Sequence, residues 1–264
     1  MTTKKLRAFI RQPSTRLAEG ELTHLARTPV DLPRACAQHA AYLQVLRGHG
    51  FAIIALPDLP DQPDAVFVED VLVCLDGRLV LTRPGAASRR AELPSVVATL
   101  RQQRLPFEAI GAPATLDGGD VLVLSHHVLV GRSTRSNDAA REQLASWVQT
   151  DRPVLGIDVA RALHLKTAVT QLPDGSLIAN PDCVDTTALT ALGYRIQAAA
   201  EPSGANVLCL GACVLLPADA PRTAAALREQ GFQVQTLDIS ELQKLEAGMT
   251  CMSVLCGPSA HAAD

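Results

Sequence analysis

Short apolar stretches alternate with amphipathic stretches along the chain, and the alternation follows a fixed order. Two apolar strands joined by a tight turn precede a helix of 3.6-residue periodicity, and a further apolar strand follows. One such unit has a hairpin over 66–82 that turns at Asp76-Gly77, a helix over 88–104 and a strand over 107–110. Asp-Gly is among the strongest signals for a two-residue hairpin turn, so the pattern predicts a ββαβ unit.

The same order of elements recurs along the rest of the chain. Three further units follow: hairpin 120–131, helix 137–149 and strand 153–157; hairpin 166–180, helix 184–192 and strand 194–197; hairpin 205–217, helix 221–230 and strand 232–236. A fifth unit combines strand 7–11, helix 34–47 and strand 51–56 with a partner strand at 252–256. Repeats of roughly 50 residues are typical of propellers and arrays, and pairing the last strand beside the first removes exposed sheet edges. We therefore predict a single α/β domain over 1–264 that closes into a ring; the alternative is an open α/β sandwich whose loops never meet.

Composition narrows the classes of function. The chain of 264 residues has 24 basic and 27 acidic side chains, a net charge of -3 and only 3% aromatic residues. Because the basic residues are scattered and aromatic rings are few, we expect no nucleic-acid partner. No stretch reaches the roughly 18 apolar residues of a membrane span, and the N-terminus lacks the apolar segment of a signal peptide. Seven cysteines without a CxxC pair favour reduced thiols over a disulfide framework or a zinc site, so we expect a cytoplasmic protein without a membrane partner.

Three carboxylates open the first hairpin. Asp64, Glu69 and Asp70 lie in or beside an apolar run. Strand alternation would send Glu69 and Asp70 to opposite faces, so they cannot both be ordinary solvent-facing groups if one face is covered. An inward carboxylate with no lysine or arginine nearby in the sequence indicates a cationic ligand. A carboxylate satisfied by turn amides is the alternative.

Arginines occupy equivalent places in two units. Arg89 lies at the start of the first helix after its hairpin, and Arg135 lies between the second hairpin and its helix. An arginine there can bind a carboxylate through two N–H groups at once. A surface helix position is the commoner outcome for one arginine, but the recurrence favours two arginines at one shared opening.

Two loops and one turn carry the remaining candidate groups. Asp117 and Asp120 flank two glycines ahead of an apolar strand, where a simple turn is the alternative explanation. His164 precedes the next hairpin at the equivalent place, although most histidines between leucines are core residues. Cys251 lies where a turn of small residues enters the last strand. A cysteine, a histidine, carboxylates and two arginines together indicate a thiol nucleophile that acts on a cationic substrate bearing a carboxylate.

Five motifs resemble one known family in their order along the chain. They are Phe-Val-Glu-Asp (67–70), Thr-Arg-Pro-Gly-Ala-x-Ser-Arg-Arg (82–90), Thr-Leu-Asp-Gly-Gly-Asp-Val-Leu (115–122), His-Leu-Lys (164–166) and Thr-Cys-x-Ser-Val-Leu (250–255). The chain resembles dimethylarginine dimethylaminohydrolases of the guanidine-modifying superfamily from about residue 6 to 256. The resemblance implies a five-bladed α/β propeller, the pentein fold. It also implies a small-molecule substrate, Nω-methylated arginine, which is converted to citrulline and a methylamine without a metal or other cofactor. The resemblance leaves open whether the protein forms a homodimer.

The resemblance also implies a role for each matched residue. Cys251 corresponds to the nucleophile, His164 to the general acid/base and Asp117 to the acid that orients the histidine. The remaining matches are to substrate contacts: Asp70 with the guanidinium, Asp64 and Leu22 of a lid loop with the α-amino group, Arg89 and Arg135 with the carboxylate, and Glu69 and the carbonyl of Leu245 as lesser contacts.

One departure from the family pattern bears on substrate choice. Glu246-Ala247 stand where the family usually has Asp-Gly ahead of the cysteine, and the longer side chain can reshape the guanidinium end of the pocket. Another hydrolase or deiminase of the same superfamily, such as an arginine deiminase, is therefore an alternative. A non-catalytic pentein binding module is the alternative of another class, but it has no need of the cysteine, histidine and aspartate together.

Overall fold

The described residues form five three-stranded sheets that share one strand arrangement. The computed structural model describes residues 6–148 and 152–257. In each sheet the middle strand pairs antiparallel with one neighbour and parallel with the other. This arrangement confirms the predicted ββαβ units.

The elements follow one another blade by blade. The first blade has β1 (Arg7–Ile10), α1 (Leu32–Gly48) and β2 (Ala52–Ala55), and the second has β3 (Leu72–Leu75), β4 (Arg78–Leu81), α2 (Leu93–Gln102) and β5 (Phe107–Ala109). The third has β6 (Val121–Val123), β7 (Val128–Arg132), α3 (Asp138–Ala145) and β8 (Val154–Asp158). The fourth has α4 (Leu165–Ala168), β9 (Val169–Gln171), β10 (Leu177–Ala179), α5 (Thr186–Ala191) and β11 (Ile196–Ala198). The fifth has β12 (Leu208–Leu210), β13 (Cys213–Pro217), α6 (Pro221–Glu229) and β14 (Gln233–Leu237), followed by α7 (Ser240–Gln243) and β15 (Val254–Cys256).

The last strand closes the ring. β15 pairs antiparallel with β1, with Phe9 opposite Val254, so the first blade is built from both ends of the chain. The open sandwich is therefore wrong, and the five-bladed α/β propeller is confirmed. A disulfide joins Cys74 on β3 to Cys256 on β15 across the first two blades. The expectation that all cysteines are reduced is wrong for this pair, because ring closure brings together two residues that lie 182 positions apart.

Short helical turns lead into the inner strands, where the sequence pattern predicts strand. They are the 3-10 helices Val68–Asp70, Gly118–Asp120 and Pro202–Ala205, together with α4. The hairpin starts predicted at 66, 166 and 205 are therefore too early, whereas the start predicted at 120 lies next to the first residue of β6. The alternation argument for Glu69 and Asp70 is also wrong: both lie in a 3-10 turn, and both are buried.

Polar side chains cap the first turns of α1, α3 and α5. Asp31 accepts a hydrogen bond from the Arg34 amide at the start of α1, and Asn137 does the same for Ala140 at the start of α3. The helix predicted over 88–104 is divided, with a 3-10 helix at Ser88–Glu92 before α2, and Ser88 makes no cap. The predicted end of the third-blade helix at 149 lies outside the described residues.

Apolar side chains fill the space between blades rather than one central core. Within the part of the chain that the structure describes, five separate clusters of buried residues lie along the ring, and the largest of them surrounds Tyr42 and Met249 beneath the loop that carries Cys251. The centre of the ring is therefore left to polar side chains. Among the described helices, none combines the length and apolar character required to cross a lipid bilayer.

Candidate active site

Asp117 and His164 meet at the centre of the ring. The Asp117 Oδ2 atom lies 3.0 Å from the His164 Nε2 atom, and both residues are buried. The other carboxylate oxygen accepts a hydrogen bond of 2.8 Å from the Gly85 amide, and the Asp117 amide donates to the Ser136 hydroxyl at 3.1 Å. The aspartate is thus fixed by its neighbours, and it fixes the imidazole in turn.

The two glycines after Asp117 allow this close approach. A Cβ atom on Gly119 would lie 2.6 Å from the His164 ring, and one on Gly118 would lie 2.0 Å from the carbonyl oxygen of Glu69. Asp120 then accepts a hydrogen bond of 2.9 Å from the Leu165 amide, which holds the turn that follows His164. Sequence reasoning noted Asp120 but gave it no role; the structure makes it a support of the histidine.

Cys251 lies in the turn that enters β15, next to Glu69 and Asp70. Its Sγ atom accepts a hydrogen bond of 3.3 Å from the Gly248 amide, and its carbonyl oxygen accepts one of 3.2 Å from the Glu69 amide. Burial, together with the negative charges of Glu69 and Asp70, raises the pKa of the Cys251 thiol to about 12. The sulfur is therefore a neutral thiol at neutral pH until a cation arrives.

His164 carries a positive charge at neutral pH. Burial opposes the imidazolium, but Asp70, Asp117 and Asp120 outweigh that effect and raise the pKa of His164 to about 9. Asp70, Asp117 and His164 also form a group whose ligand atoms lie within 4.8 Å of one another. Because a metal binds imidazole through a deprotonated nitrogen, a metal ion at this group would have to displace a proton of His164.

Asp70 keeps one oxygen without a hydrogen bond. Its Oδ2 atom accepts a bond of 2.8 Å from Arg89, whereas Oδ1 is buried with no hydrogen-bond partner among the described residues and lies 3.7 Å from the His164 Nδ1 atom. Burial disfavours the charged form, but the His164 and Arg89 cations prevail and lower the pKa of the Asp70 carboxyl. The Oδ1 atom of Asp70 is therefore a charged hydrogen-bond acceptor that lies beside His164.

Glu69 has both carboxylate oxygens occupied. Oε1 lies 2.6 Å from Lys166 Nζ, and Oε2 accepts a hydrogen bond of 2.7 Å from the Thr250 hydroxyl. The lack of basic residues nearby in the sequence was therefore misleading for Asp70 and Glu69. The fold brings Arg89 to Asp70 and Lys166 to Glu69. Lys166 belongs to the His-Leu-Lys motif, and the motif was the available signal for it.

Arg89 uses its two-pronged face inside the protein. It forms a pair of bonds with Glu92, donates to Asp70 Oδ2, and donates to the Phe67 carbonyl at 3.0 Å. Glu92 is fully buried and also pairs with Arg11 at 3.2 Å. The sequence led us to expect that Arg89 donates two hydrogen bonds to a substrate carboxylate. In the structure it donates them to the carboxylate of Glu92 instead. Sequence reasoning missed Arg11 and Glu92, which lie 81 positions apart.

A covering loop of residues 20–25, which follows the 3-10 helix Leu17–Glu19, lies over the other end of the site. Asp64 is buried and accepts a hydrogen bond of 3.1 Å from the Glu21 amide, and Arg135 Nη1 lies 3.1 Å from Glu21 Oε2. Leu22 packs partly buried against the apolar cluster that contains Leu245. The structure therefore brings Asp64, Arg135 and Leu22 to one place, with Glu21 among them.

The departure at Glu246 has a structural role. Glu246 has a φ of 62°, and its Oε1 atom accepts hydrogen bonds from the amides of Thr23, His24 and Leu25 at 2.9, 2.5 and 2.8 Å. The side chain that replaces the usual aspartate thus holds the covering loop to the segment ahead of Cys251.

Five ββαβ blades around a cysteine, a histidine and carboxylates define the class of guanidine-modifying α/β propellers. A family model for eukaryotic N,N dimethylarginine dimethylhydrolase matches residues 28–154. The chain is 41% identical to N(G),N(G)-dimethylarginine dimethylaminohydrolase of Streptomyces coelicolor, over 96% of this chain and 97% of that protein. It is 32% identical to the enzyme of the same name from Pseudomonas aeruginosa, over 92% of this chain and 96% of that one. The solved structure of a cysteine-to-serine mutant of the Pseudomonas aeruginosa enzyme, complexed with citrulline, matches with a TM-score of 0.86 at 29% identity, over 96% of this chain and 99% of that one. The chain belongs to the dimethylarginine dimethylaminohydrolase family.

Proposed function

We propose that this chain hydrolyses Nω-methylated arginines, dimethylarginine and monomethylarginine, to citrulline and the corresponding methylamine. The buried Oδ1 atom of Asp70, which has no hydrogen-bond partner among the described residues, carries the proposal. A buried charged acceptor without a donor is costly, and a guanidinium N–H would satisfy it. The named activities of the Streptomyces coelicolor and Pseudomonas aeruginosa relatives support the same substrate class.

The first chemical step uses Cys251 and His164. A guanidinium bound to Asp70 brings a positive charge towards the sulfur, which lowers the pKa of the thiol, so the thiol releases its proton to solvent and becomes the thiolate. The thiolate forms an S–C bond to the central carbon, and the bond from that carbon to the methylated nitrogen breaks. His164, protonated in the empty site, gives its proton to the departing amine.

The second step releases citrulline. Water attacks the same carbon while neutral His164 takes one of its protons, and the C–S bond breaks to return the thiolate. The second proton of the water leaves to solvent as the C=O bond of citrulline forms. Asp117 keeps the imidazole in one orientation through both steps because its carboxylate lies 3.0 Å from Nε2. These steps require neither a metal nor another cofactor.

The other substrate contacts follow from the remaining side chains. Asp64 and the backbone of Leu22 bind the α-amino group, and Arg135 binds the α-carboxylate. The carbonyl of Leu245 makes a lesser contact with the substrate. Arg89 acts mainly by holding Asp70, since most of its N–H groups are occupied. Glu69 acts by holding Lys166 and Thr250 below the site.

Citrulline release from purified protein tests the proposal. Dimethylarginine, monomethylarginine, arginine and agmatine are supplied in parallel, with Cys251→Ser as the matched control. We expect a preference for the methylated arginines that disappears in Cys251→Ser. A preference for arginine or agmatine would assign the chain a different substrate, and activity retained by Cys251→Ser would refute the role of the thiol.

A further inference from the structure

Glu21 lies between the two groups that are proposed to bind the head of the substrate. Its backbone N–H donates to Asp64 Oδ2 at 3.1 Å, and its Oε2 atom lies 3.1 Å from Arg135 Nη1. Its other carboxylate oxygen accepts a hydrogen bond from the Ser88 hydroxyl. One residue thus presents an N–H donor to Asp64 and a carboxylate to Arg135, the same two features that the head of an α-amino acid presents.

The covering loop is built to bring Glu21 to this place. Gly20 precedes it, and a Cβ atom there would lie 2.6 Å from Asp64 Oδ1, so the close approach requires glycine. Three amides further along the loop are held by Glu246. Arg135 is nearly buried, with 14% of its side chain exposed, whereas the Glu21 side chain is 42% exposed. The carboxylate of Glu21 can therefore turn towards solvent while the arginine stays in the site.

We propose that Glu21 occupies the head-group subsite in the empty protein and competes with the α-carboxylate of the substrate for Arg135. The inference rests on the proposed function, because that function assigns Asp64 and Arg135 to the substrate's head. Glu21 is then a specificity-determining residue: a ligand with an α-carboxylate must displace it, and a guanidine without one leaves the Glu21–Arg135 ion pair intact.

Binding measured without turnover tests the inference. In a Cys251→Ser background, the dissociation constants of dimethylarginine and agmatine are measured by calorimetry for three proteins: the background itself, Glu21→Gln and Glu19→Gln. Glu19 is the matched control, since its carboxylate pairs with Arg16 on the same segment, away from Asp64 and Arg135. We expect Glu21→Gln to bind dimethylarginine about two- to fivefold more tightly, the range of a partly exposed ion pair. Agmatine affinity and the Glu19→Gln protein should not change.

A fourth protein distinguishes failure of the Glu21 inference from failure of the proposed Arg135–carboxylate contact. Arg135→Gln in the same background should weaken dimethylarginine binding and leave agmatine binding unchanged. If Arg135→Gln weakens binding but Glu21→Gln does not tighten it, the competition is refuted and the assignment of Arg135 stands. If Arg135→Gln leaves dimethylarginine binding unchanged, the proposed carboxylate contact fails, and the inference about Glu21 fails with it.

Discussion

The Nε2 atom of His164 lies 3.0 Å from Oδ2 of Asp117, and the other oxygen of the same carboxylate is held by the Gly85 amide. The bond therefore fixes the imidazole from a rigid support. It also helps to keep the ring protonated, because the Asp117 carboxylate is one of three that raise the pKa of His164. The orientation of the histidine thus depends on this hydrogen bond, and its protonation depends on it together with Asp70 and Asp120.

Asp117→Asn removes the negative charge beside His164 and keeps the size of the side chain. We expect kcat for dimethylarginine to fall by about 10²–10⁴-fold, as when a catalytic histidine loses its orienting carboxylate in other enzymes. The pKa of His164, followed by NMR, should fall because one anion beside the ring is lost. Asp158→Asn, at an exposed aspartate paired with Arg132, is the matched control. An unchanged kcat in a folded Asp117→Asn protein would contradict the orienting role.

Protonation of His164 should also make the fold's stability depend on pH. The folded-state pKa of about 9 lies above the ordinary value of 6.5, so the proton stabilises the folded protein. Its contribution to the free energy of unfolding is complete below pH 6.5 and is lost as the pH rises through about 9. Urea unfolding from about pH 6 to 10 should therefore show a steeper decline in wild type than in His164→Gln. Equal slopes in the two proteins would mean that the His164 proton does not stabilise the fold.

The thiol should react slowly with a neutral alkylating agent in the empty protein. Because the pKa of Cys251 is about 12, the rate with iodoacetamide should rise through pH 10 without a plateau near the ordinary value of 9.0. Subtracting the rate of Cys251→Ser removes the contribution of the other free cysteines. A plateau between pH 8 and 9 would show that the thiolate is already stabilised before substrate binds.

The repeated pattern in the sequence was sufficient to predict the blades. Asp76-Gly77 predicted a hairpin turn, and the structure gives these residues φ values of 52° and 79°, the left-handed conformations that such a turn requires. The pairing of β15 with β1 also followed from the ring. Periodicity describes regular strands, however, and it did not reveal the short turns at Val68–Asp70 and Gly118–Asp120 that carry the acidic side chains.

The sequence pattern could not predict which residues pair with the side chains of the site. Lys166 reaches Glu69 from 97 positions away, and Arg135 meets Glu21 through the covering loop. Only the closed ring brings such residues together, so no local pattern could assign them. The family motifs pointed to Cys251, His164 and Asp117 as a group, but not to Glu92, which lies outside every quoted motif.

Glu92 anchors a buried ion cluster beside the site, and its neutralisation should be costly. Its carboxylate is fully buried between Arg11, at 3.2 Å, and Arg89. Glu92→Gln keeps the shape but leaves two buried guanidinium groups without their shared anion. We expect the free energy of unfolding in urea to fall by about 3–5 kcal/mol, the range for breaking a buried ion pair by removing one partner. KM for dimethylarginine should also rise, because Arg89 holds Asp70 and loses its own support.

Glu19→Gln supplies the control for this measurement, since it makes the same chemical change in an exposed ion pair with Arg16. Solvent screens that pair, so unfolding of the control should match wild type. If Glu92→Gln is as stable as Glu19→Gln, water or another acceptor must satisfy both arginines after the change. The rise in KM tests the link to the site separately: a destabilised Glu92→Gln protein with an unchanged KM would show that Arg89 holds Asp70 in place without help from Glu92.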